Sequence, residues 1–528
     1  MDSISLMGLI ATLVVDTSFS WVRMFIALGI SVVVSIGVGI YAATHRTAEK
    51  IILPVVDVLQ TLPILAFFPF VILVVVATIP GYAGINAAVI FLIITSMIWN
   101  IIFGVYESIK VLPKEYTELS RLYQLSRLDR LRKLYIPATL PRVVEQSILS
   151  WSIGLFYLVT SEIFSTGSSS YRVQHGIGAA IASLAASGNT LAYLIGLAIF
   201  IIFVVATRFL FFRPLEDYVT RYNKHVQQKT LEVKRMSYVR EMSELGTRIM
   251  KRLGSQQLVK IGSRLAGGGG AGRQKGWADE EYKGTGLWKF ARYLVPAAVV
   301  LLAVYLVATN TYLIGYELTV LHALVFSFAR VWIAFAVSLA IGIPVCVYLI
   351  FITRHSSKYL LLFQILASIP ATILLPAIAN GLKGYPNYGE IVAFVVFVLS
   401  SIWYIVFSTM NMAKTLNPEI FEVKKIFGVR GAGAWKKIYL KAIIPGIITG
   451  AITAIAAEWN ASIVAEYFAF GSNVSQVGTG IGKLLDLALA GNNLTLMLIA
   501  LVNLTVMILI INTFVWKRLY RNVSSTYG

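Results

Sequence analysis

Long apolar stretches with almost no charge dominate this chain. Residues 51–106 contain one charged side chain, Asp57, and residues 176–207, 293–316 and 487–516 contain none. A helix that spans a bilayer needs about 20 apolar residues, and these stretches are too long for core strands. The pattern predicts an all-α polytopic membrane protein. We predict eleven spans, at 20–43, 51–78, 85–107, 143–164, 189–212, 290–312, 325–351, 359–381, 389–412, 446–467 and 493–516.

Two of the predicted spans each contain a pair of prolines. Pro63 and Pro69 lie in the second span, and Pro370 and Pro376 lie in the eighth. Proline removes a helix hydrogen bond and clashes with the preceding turn. We therefore expect both spans to be kinked or broken, which is tolerated in a membrane only where other groups satisfy the freed backbone.

The composition supports a membrane protein and excludes several other classes. Of the 528 residues, 57% are hydrophobic and 13% charged, which is too little polar surface for a soluble globular protein. The single cysteine excludes an internal disulfide, and the five scattered histidines form no ligand spacing. We expect no metal site, no cofactor and no catalytic residues in the chain itself.

The formal net charge of +20 needs an explanation, because a basic chain is often a nucleic-acid-binding chain. Residues 213–289 form a polar linker with 16 Lys/Arg and 8 Asp/Glu. Its glycine run at 267–272 lacks the Gly-Lys-Ser/Thr that a phosphate-binding loop requires. We interpret the segment as a basic cytoplasmic linker with no nucleic-acid partner.

The two halves of the chain repeat each other. At an offset of 304 residues, Glu162 matches Glu466 and Gly176-Ile177-Gly178 matches Gly480-Ile481-Gly482. Upstream the offset is 307, so that Ser20 and Arg23 match Ser327 and Arg330, and the proline pairs match each other. We therefore divide the chain into a first repeat (1–212), the linker (213–289), a connecting span (290–319) and a second repeat (320–528).

Topology follows from the span count and the positive charges. Each repeat has five spans, so the extra span at 290–312 is needed for the two repeats to point the same way. With the N-terminus outside, nearly all Lys and Arg lie on the cytoplasmic side, as the positive-inside rule requires. The residues on the other side are Arg23, Arg172, Arg330, Lys383 and Lys483.

A long loop with a recurring pattern joins the third and fourth spans of each repeat. The first copy has Glu118, Gln124 and Leu134-Tyr-Ile-Pro137, and the second has Glu422, Gly428 and Ile438-Tyr-Leu-Lys441 at the same spacing. This resembles the EAA motif of ABC-importer permeases: Glu-Ala-Ala, three residues, Gly, nine residues, Ile-x-Leu-Pro. Neither copy has the two alanines, Gln124 replaces the glycine, and Lys441 replaces the proline.

The resemblance implies a fused pair of type I permease repeats. Each loop would begin with a short amphipathic helix that docks on a cytoplasmic ABC ATPase subunit, and ATP would bind to those two subunits. An extracytoplasmic substrate-binding protein would deliver the substrate. The coupling residues implied are Glu118, Gln124, Leu134, Pro137, Pro141, Glu422, Gly428, Ile438 and Pro445.

Within that family the chain is most similar to the nitrate/sulfonate/taurine branch, through the Leu62–Pro69 segment and the segment that follows Glu162. This similarity implies that the protein lies in the plasma membrane of the cell and that its substrate is a small anion. Polar residues inside spans are candidates for the pathway because they are expensive to bury there. They are Asp57, Gln60, Asn100, Glu162, Gln364, Glu458, Asn460 and Glu466.

Three alternatives stay open at this point. Glu162 and Glu466 also have a structural interpretation, as glutamates at helix ends that are hydrogen-bonded to a neighbouring helix. For the matched Trp99 and Trp403, a packing role is favoured over a functional one. An ion-gradient-driven secondary transporter built from parallel repeats would use Glu458 or Asp57 but does not explain the two loops. A membrane anchor for a nucleic-acid-binding linker would require salt-dependent binding by residues 213–289.

Overall fold

A computed structural model describes residues 6–166, 173–219, 313–352, 356–413, 435–470, 473–491 and 493–516, together with residues 221, 433 and 519. The predicted connecting span at 290–312, the linker beyond residue 219 and the loop residues Glu422 and Gly428 lie outside the described residues.

The residues of the first repeat that the structure describes form nine α-helices. Their bounds are α1 Leu6–Thr44, α2 Arg46–Thr61, α3 Phe68–Thr78, α4 Tyr82–Lys110, α5 Lys114–Leu122, α6 Arg127–Arg130, α7 Ile136–Thr166, α8 Ile177–Ala186 and α9 Thr190–Thr207.

The described part of the second repeat has the same order of long helices and contains a hairpin. Its elements are α10 Leu313–Val347, α11 Ser356–Ala367, α12 Ala371–Leu382, α13 Tyr388–Ala413, α14 Leu440–Ala465, β1 Tyr467–Phe470, β2 Asn473–Gln476, α15 Ile481–Ala490 and α16 Leu494–Ile511. The two strands pair antiparallel, with Tyr467 opposite Gln476.

The duplication extends to the ends of the helices. The Asn189 side chain accepts a hydrogen bond from the Ala192 amide at the start of α9, and Asn493 does the same with Leu496 at the start of α16. An N-cap of this kind satisfies an amide that has no partner inside the helix. Single π-helical turns also recur at matching positions, at 131–135 and 435–439 before α7 and α14, and at 208–212 and 512–516 after α9 and α16.

Both proline-containing segments are broken, as the sequence predicts. In the first repeat α2 ends at Thr61, a 3₁₀ turn covers Ile64–Phe67, and α3 starts at Phe68. In the second repeat α11 ends at Ala367, and Pro370 is the residue that precedes α12.

The helices of each repeat pack around a central one. In the first repeat α4 lies between α1 and α7, and in the second α13 lies between α10 and α14. Buried apolar side chains from both repeats belong to one continuous core, which joins the two halves. In the part of the chain that the structure describes, eight helices are long and apolar enough to cross a membrane.

The helices extend past the domain boundaries drawn from the sequence. α9 continues through its π-helical turn to Val219, beyond the predicted end of the first repeat at residue 212. α10 starts at Leu313, before the predicted start of the second repeat at residue 320.

Candidate functional site

The two repeats enclose a cavity of about 720 Å³. Its walls come from α2, α4 and α7 of the first repeat and from α13, α14 and α16 of the second. The segments around both proline breaks, at Ile64 and at 369–371, also line it. A cavity at the interface of two repeats is where a solute pathway through a duplicated transporter is expected.

The structure divides the predicted pathway residues into two groups. Asp57, Asn100 and Asn460 line the cavity. Glu162, Glu458 and Glu466 are not among the lining residues and are fully buried elsewhere. Gln364 lies on α11, and its side chain is outside the described residues.

Some cavity residues were missed by sequence reasoning. Trp99 and Trp403, which the sequence favoured as packing residues, both line the cavity, and so does Gln146. The signal for the tryptophans was their match across the repeat, because each stands at the same place on α4 or α13. Gln146 has Gly450 as its counterpart, so the repeat gave no such signal there.

The cavity ends where the chain breaks. Ile64 and Pro370 line it, whereas Leu65, Ile373 and Leu375 have no exposed surface at all. The Leu65 amide, freed by the break, donates to the Asn460 side-chain oxygen across the repeat interface at 3.4 Å. Fully buried side chains of the two breaks therefore border this part of the cavity.

Hydroxyl groups join the two repeats around the second break. Ser152 Oγ of α7 lies 2.7 Å from Ser368 Oγ, and Thr160 Oγ1 of α7 donates to Thr372 Oγ1 at 3.2 Å. The Tyr193 hydroxyl of α9 donates to the Ile373 carbonyl oxygen at 3.0 Å. These bonds hold the break of the second repeat against α7 and α9 of the first.

Glu162 belongs to a buried polar cluster on the α1 side of the first repeat. Its Oε1 accepts from Arg23 Nη1 and from Ser20 Oγ, each at 2.7 Å, and its Oε2 accepts from the Gly178 amide at 2.9 Å. Arg23 also donates to Asn86 and to the His175 carbonyl oxygen. We call this set the first latch, because it ties α1, α4, α7 and the start of α8 together.

The second repeat contains the equivalent second latch around Glu466. Ser327 and Arg330 donate to Glu466 Oε1 at 2.6 and 3.3 Å, and the Gly482 amide donates to Oε2 at 2.8 Å. One partner differs, because Glu390 replaces Asn86 and takes two hydrogen bonds from Arg330. This latch therefore has two carboxylates for one guanidinium.

The glycines of the repeated Gly-Ile-Gly motif are required by close approach in these latches. A Cβ on Gly176 would lie 2.6–2.8 Å from the Glu162 carboxylate, and one on Gly480 would lie 2.3 Å from Glu466 Oε2. The repeated serine, arginine, glutamate and glycine positions in the sequence were the signal for the latches. Their roles here are structural contacts at helix ends, since neither glutamate reaches the cavity.

Glu458 belongs neither to the cavity lining nor to either latch. It is fully buried on α14, and neither of its carboxyl oxygens makes a hydrogen bond among the described residues, although the Ser401 hydroxyl is close by. The first repeat has Gly154 at this position, where a Cβ would lie 2.2 Å from the Met97 methyl carbon. The two repeats thus fill the same space with different chemistry.

The first coupling loop begins with α5, an exposed amphipathic helix. Glu118, Leu119, Leu122 and Tyr123 are exposed, and Leu122 and Tyr123 keep 76% and 75% of their surface. Exposed leucine and tyrosine side chains therefore lie next to each other at the end of this helix. The chain then reaches α7 through Leu134, in a π-helical turn, and through Pro137 and Pro141 in the first turns of α7.

Gln124 ends α5 in a left-handed conformation, with φ +49°. The Leu125 amide donates to the Ser120 carbonyl oxygen, and the Tyr123 amide to Leu119, which is the bonding expected where a left-handed residue closes a helix. Glycine is the residue that adopts this conformation without cost. This explains why the motif has glycine at the position that Gln124 occupies.

Gln124→Gly is expected to stabilise the end of α5 by about 1 kcal/mol, because the strain of a left-handed side chain disappears. Hydrogen exchange at the Tyr123 and Leu125 amides should slow by about fivefold. Gln124→Ala keeps a Cβ and serves as the matched control, with no slowing expected. Equal exchange in all three proteins would contradict the account of the motif.

In the second loop, Ile438 lies in the π-helical turn before α14, and Pro445 lies inside α14. These positions match Leu134 and Pro141 of the first repeat.

The N-terminal end of α2, the helix that carries Asp57, is bonded to α4. Glu49 accepts hydrogen bonds from Tyr106 and Lys110, at 2.6 and 2.7 Å. Partial burial opposes ionisation, but the bonds from Lys110 and Tyr106 hold the pKa of Glu49 below its usual range. The ionised anchor keeps this wall of the cavity in place.

Comparison with known proteins agrees with the duplicated architecture. The family model described as "Binding-protein-dependent transport system inner membrane component" matches residues 35–215 and again residues 323–524. The two matches correspond to the two repeats and together cover well over half of the chain.

Curated relatives show the same kind of protein at low identity. A nitrate import permease of Leptolyngbya laminosa is 25% identical over 145 residues, covering 28% of this chain and 50% of the relative. A bicarbonate transport permease of Synechococcus elongatus is 24% identical, covering 29% and 52%. A glycine betaine/proline betaine transport permease of Escherichia coli is 26% identical, covering 31% and 44%. Each match spans about half of the relative's length.

Proposed function

The chain belongs to the family of binding-protein-dependent transport system inner membrane components, and from that premise we propose that its two repeats form the whole translocation pathway of an ABC importer. The observation that carries this proposal is the cavity of about 720 Å³ enclosed between repeats that are duplicated helix by helix. A permease of two separate copies would enclose such a cavity only after dimerising, and fusion makes both walls in one chain.

The proposed orientation puts α5 in the cytoplasm. The loops at that end hold most of the Lys and Arg residues, which is the arrangement that the positive-inside rule favours. The buried side chains at the proline breaks would then lie on the outer side of the cavity. We propose that they form an outer layer that closes the cavity to the outside in this structure.

The proposed partners are two ABC ATPase subunits on the cytoplasmic side and a substrate-binding protein on the outer side. α5 supplies the docking element for one ATPase, and the loop containing Glu422 and Gly428 supplies the equivalent element for the other. ATP-driven closure of the ATPase pair would push the two loops together and separate the repeats at the outer layer. The substrate proposed is a small anion such as nitrate, a sulfonate or taurine, since permeases named for nitrate and bicarbonate are among the relatives.

Reconstitution tests the proposal directly. The chain is placed in proteoliposomes with an ABC ATPase and a substrate-binding protein from the same organism, and uptake of nitrate, ethanesulfonate and taurine is measured with and without ATP. Uptake that needs ATP and both partners supports an importer. Uptake driven by an ion gradient without ATP would instead identify a secondary transporter.

Docking through α5 makes a separate prediction. A Leu122→Ser/Tyr123→Ser variant is expected to lower co-purification of the ATPase by at least about tenfold, because burying one large apolar side chain contributes about 1.5–3 kcal/mol. Glu118→Ala should weaken assembly further. Tyr385→Ser replaces a 61%-exposed tyrosine at the opposite end of the bundle and should change nothing. Normal assembly of the α5 variant would contradict this docking surface.

A further inference from the structure

A second, much smaller cavity of about 20 Å³ lies where the two repeats meet. Its lining comes from α7 and α9 of the first repeat, from the π-helical turn that follows α9, and from the end of α11 in the second repeat. The lining side chains with polar groups are Trp151, Ser152, Arg208 and Ser368. A cavity of this size holds about one water-sized group.

Arg208 carries a positive charge into this cavity. The residue directly follows α9, a helix with no charged side chain, and its own side chain is 17% exposed. Its Nη2 atom pairs with Glu216 at 3.1 Å, whereas its Nη1 atom is buried and makes no hydrogen bond among the described residues. A buried donor without an acceptor is costly, and most of all in a charged group inside a membrane span. An acceptor in the cavity would remove this cost.

Trp151 brings a second donor to the same cavity. The residue is 4% exposed, and in the described part of the chain its Nε1 atom has no hydrogen-bond partner. Ring contacts with Phe25 and Phe212, at centroid distances of 4.9 and 5.5 Å, hold the indole in place. Two residues from different helices, each with a buried and unused N–H group, therefore line one small cavity.

These donors favour an anion over a water molecule. Arginine and indole N–H groups donate and cannot accept. The two lining hydroxyl groups are already bonded to each other, because Ser152 Oγ lies 2.7 Å from Ser368 Oγ. A water molecule needs acceptors for its own two hydrogens, whereas a halide ion only accepts. The guanidinium balances the ion's charge, since its partner Glu216 is 39% exposed and screened by solvent.

We propose that this cavity binds one small monovalent anion, with chloride as its simplest occupant, and that Arg208 Nη1 and Trp151 Nε1 donate to it. The ion would lie beside the Ser152–Ser368 bond and bridge the two repeats. The second repeat has Asn512 and Ile455 at the positions of Arg208 and Trp151, so one site per chain is expected. The proposal concerns the small cavity alone and holds whether or not the large one is a transport pathway.

Thermal unfolding of the purified full chain, followed by tryptophan fluorescence, tests the proposal. Chloride is raised from about 1 to about 100 mM in exchange for gluconate, a large organic anion, at constant sodium concentration and ionic strength. A ligand that binds only the folded chain raises the melting temperature as its concentration grows. We expect a rise of at least about 2 °C over this range.

Two matched pairs of variants assign the rise to the cavity. Trp151→Phe keeps an aromatic ring but removes the Nε1 donor, and Arg208→Met removes the charge, so each should reduce the rise to less than about 0.5 °C. Trp332→Phe is the control for the first, because Trp332 Nε1 is also buried without a partner among the residues described but does not line the cavity. Arg142→Met removes another glutamate-paired arginine away from the cavity. Both controls should keep the full rise.

Three outcomes decide the matter. Equal melting temperatures in chloride and gluconate would mean that the cavity holds water only, which overturns the proposal. A rise that survives Trp151→Phe also overturns it, because the anion would then bind elsewhere, at the basic loops. If Arg208→Met fails to fold, the comparison of Trp151→Phe with Trp332→Phe decides by itself, since both variants keep every charge.

Discussion

A Ser152→Cys/Ser368→Cys variant is expected to lose transport under oxidising conditions and to regain it when the disulfide is reduced. The two serine Oγ atoms lie 2.7 Å apart, on α7 of the first repeat and at the break of the second. Side chains this close fit the short Cβ separation that a disulfide needs. The proposed alternating access requires the repeats to separate beside these serines, and the covalent bond would prevent that step.

Controls for the cross-link are available in the same chain. Each single cysteine variant should transport in both redox conditions, and Thr160→Cys/Thr372→Cys, from a pair 3.2 Å apart, should behave like the first double variant. A protease site inserted at 267–272 lets a non-reducing gel show whether the halves are joined. Normal transport by a fully cross-linked protein would contradict the proposed movement of the repeats.

The sequence predicted the architecture in which this test is set, for identifiable physical reasons. Long charge-free stretches give membrane helices, and proline pairs give breaks, because both effects are local. The fixed offset between repeats, which set Ser20 against Ser327 and Glu162 against Glu466, predicted that the halves share one fold. The family comparison confirms the duplication, with one match to each half.

The contacts themselves could not be predicted, because they depend on which helix faces meet. Ser20 and Arg23 lie far from Glu162 along the chain, and only packing of α1 against α7 brings each of them within 2.7 Å of its carboxylate. The difference between Asn86 and Glu390 was visible as two residues at matching positions. That both contact the latch arginine required the structure.

The cavity shows a second limit of prediction from sequence. Polar residues in spans are costly, so the sequence selected Asp57, Gln60, Asn100 and Asn460 as pathway candidates, and all four line the cavity. The same cost argument selected Glu162 and Glu466, where an arginine, a serine and a backbone amide satisfy the carboxylate instead. Cost identifies a residue that needs partners, and it does not tell whether they are protein groups or a solute.

Glu162→Ala should destabilise the protein more than Glu466→Ala, although the two glutamates have matching positions and equal burial. Removing one partner of a buried ion pair costs about 3–5 kcal/mol, because the remaining charge is left without compensation. Arg23 has no second carboxylate in the first latch and is left in that state, 3% exposed. In Glu466→Ala, Arg330 keeps both of its hydrogen bonds to Glu390. The loss of stability in this variant should therefore be about half as large as in Glu162→Ala, or less.

Chemical unfolding of the purified protein in detergent, followed by tryptophan fluorescence, measures both losses. The backbone amides of Gly178 and Gly482 lose the same acceptor in the two variants, so the difference between them isolates the arginine. An Arg23→Met/Glu162→Met double variant should recover most of the loss, since no charge is then left unpaired. Equal destabilisation by Glu162→Ala and Glu466→Ala would mean that Glu390 does not compensate Arg330. The two latches would then be equivalent in energy as well as in position, and the exchange of Asn86 for Glu390 would have no effect on stability.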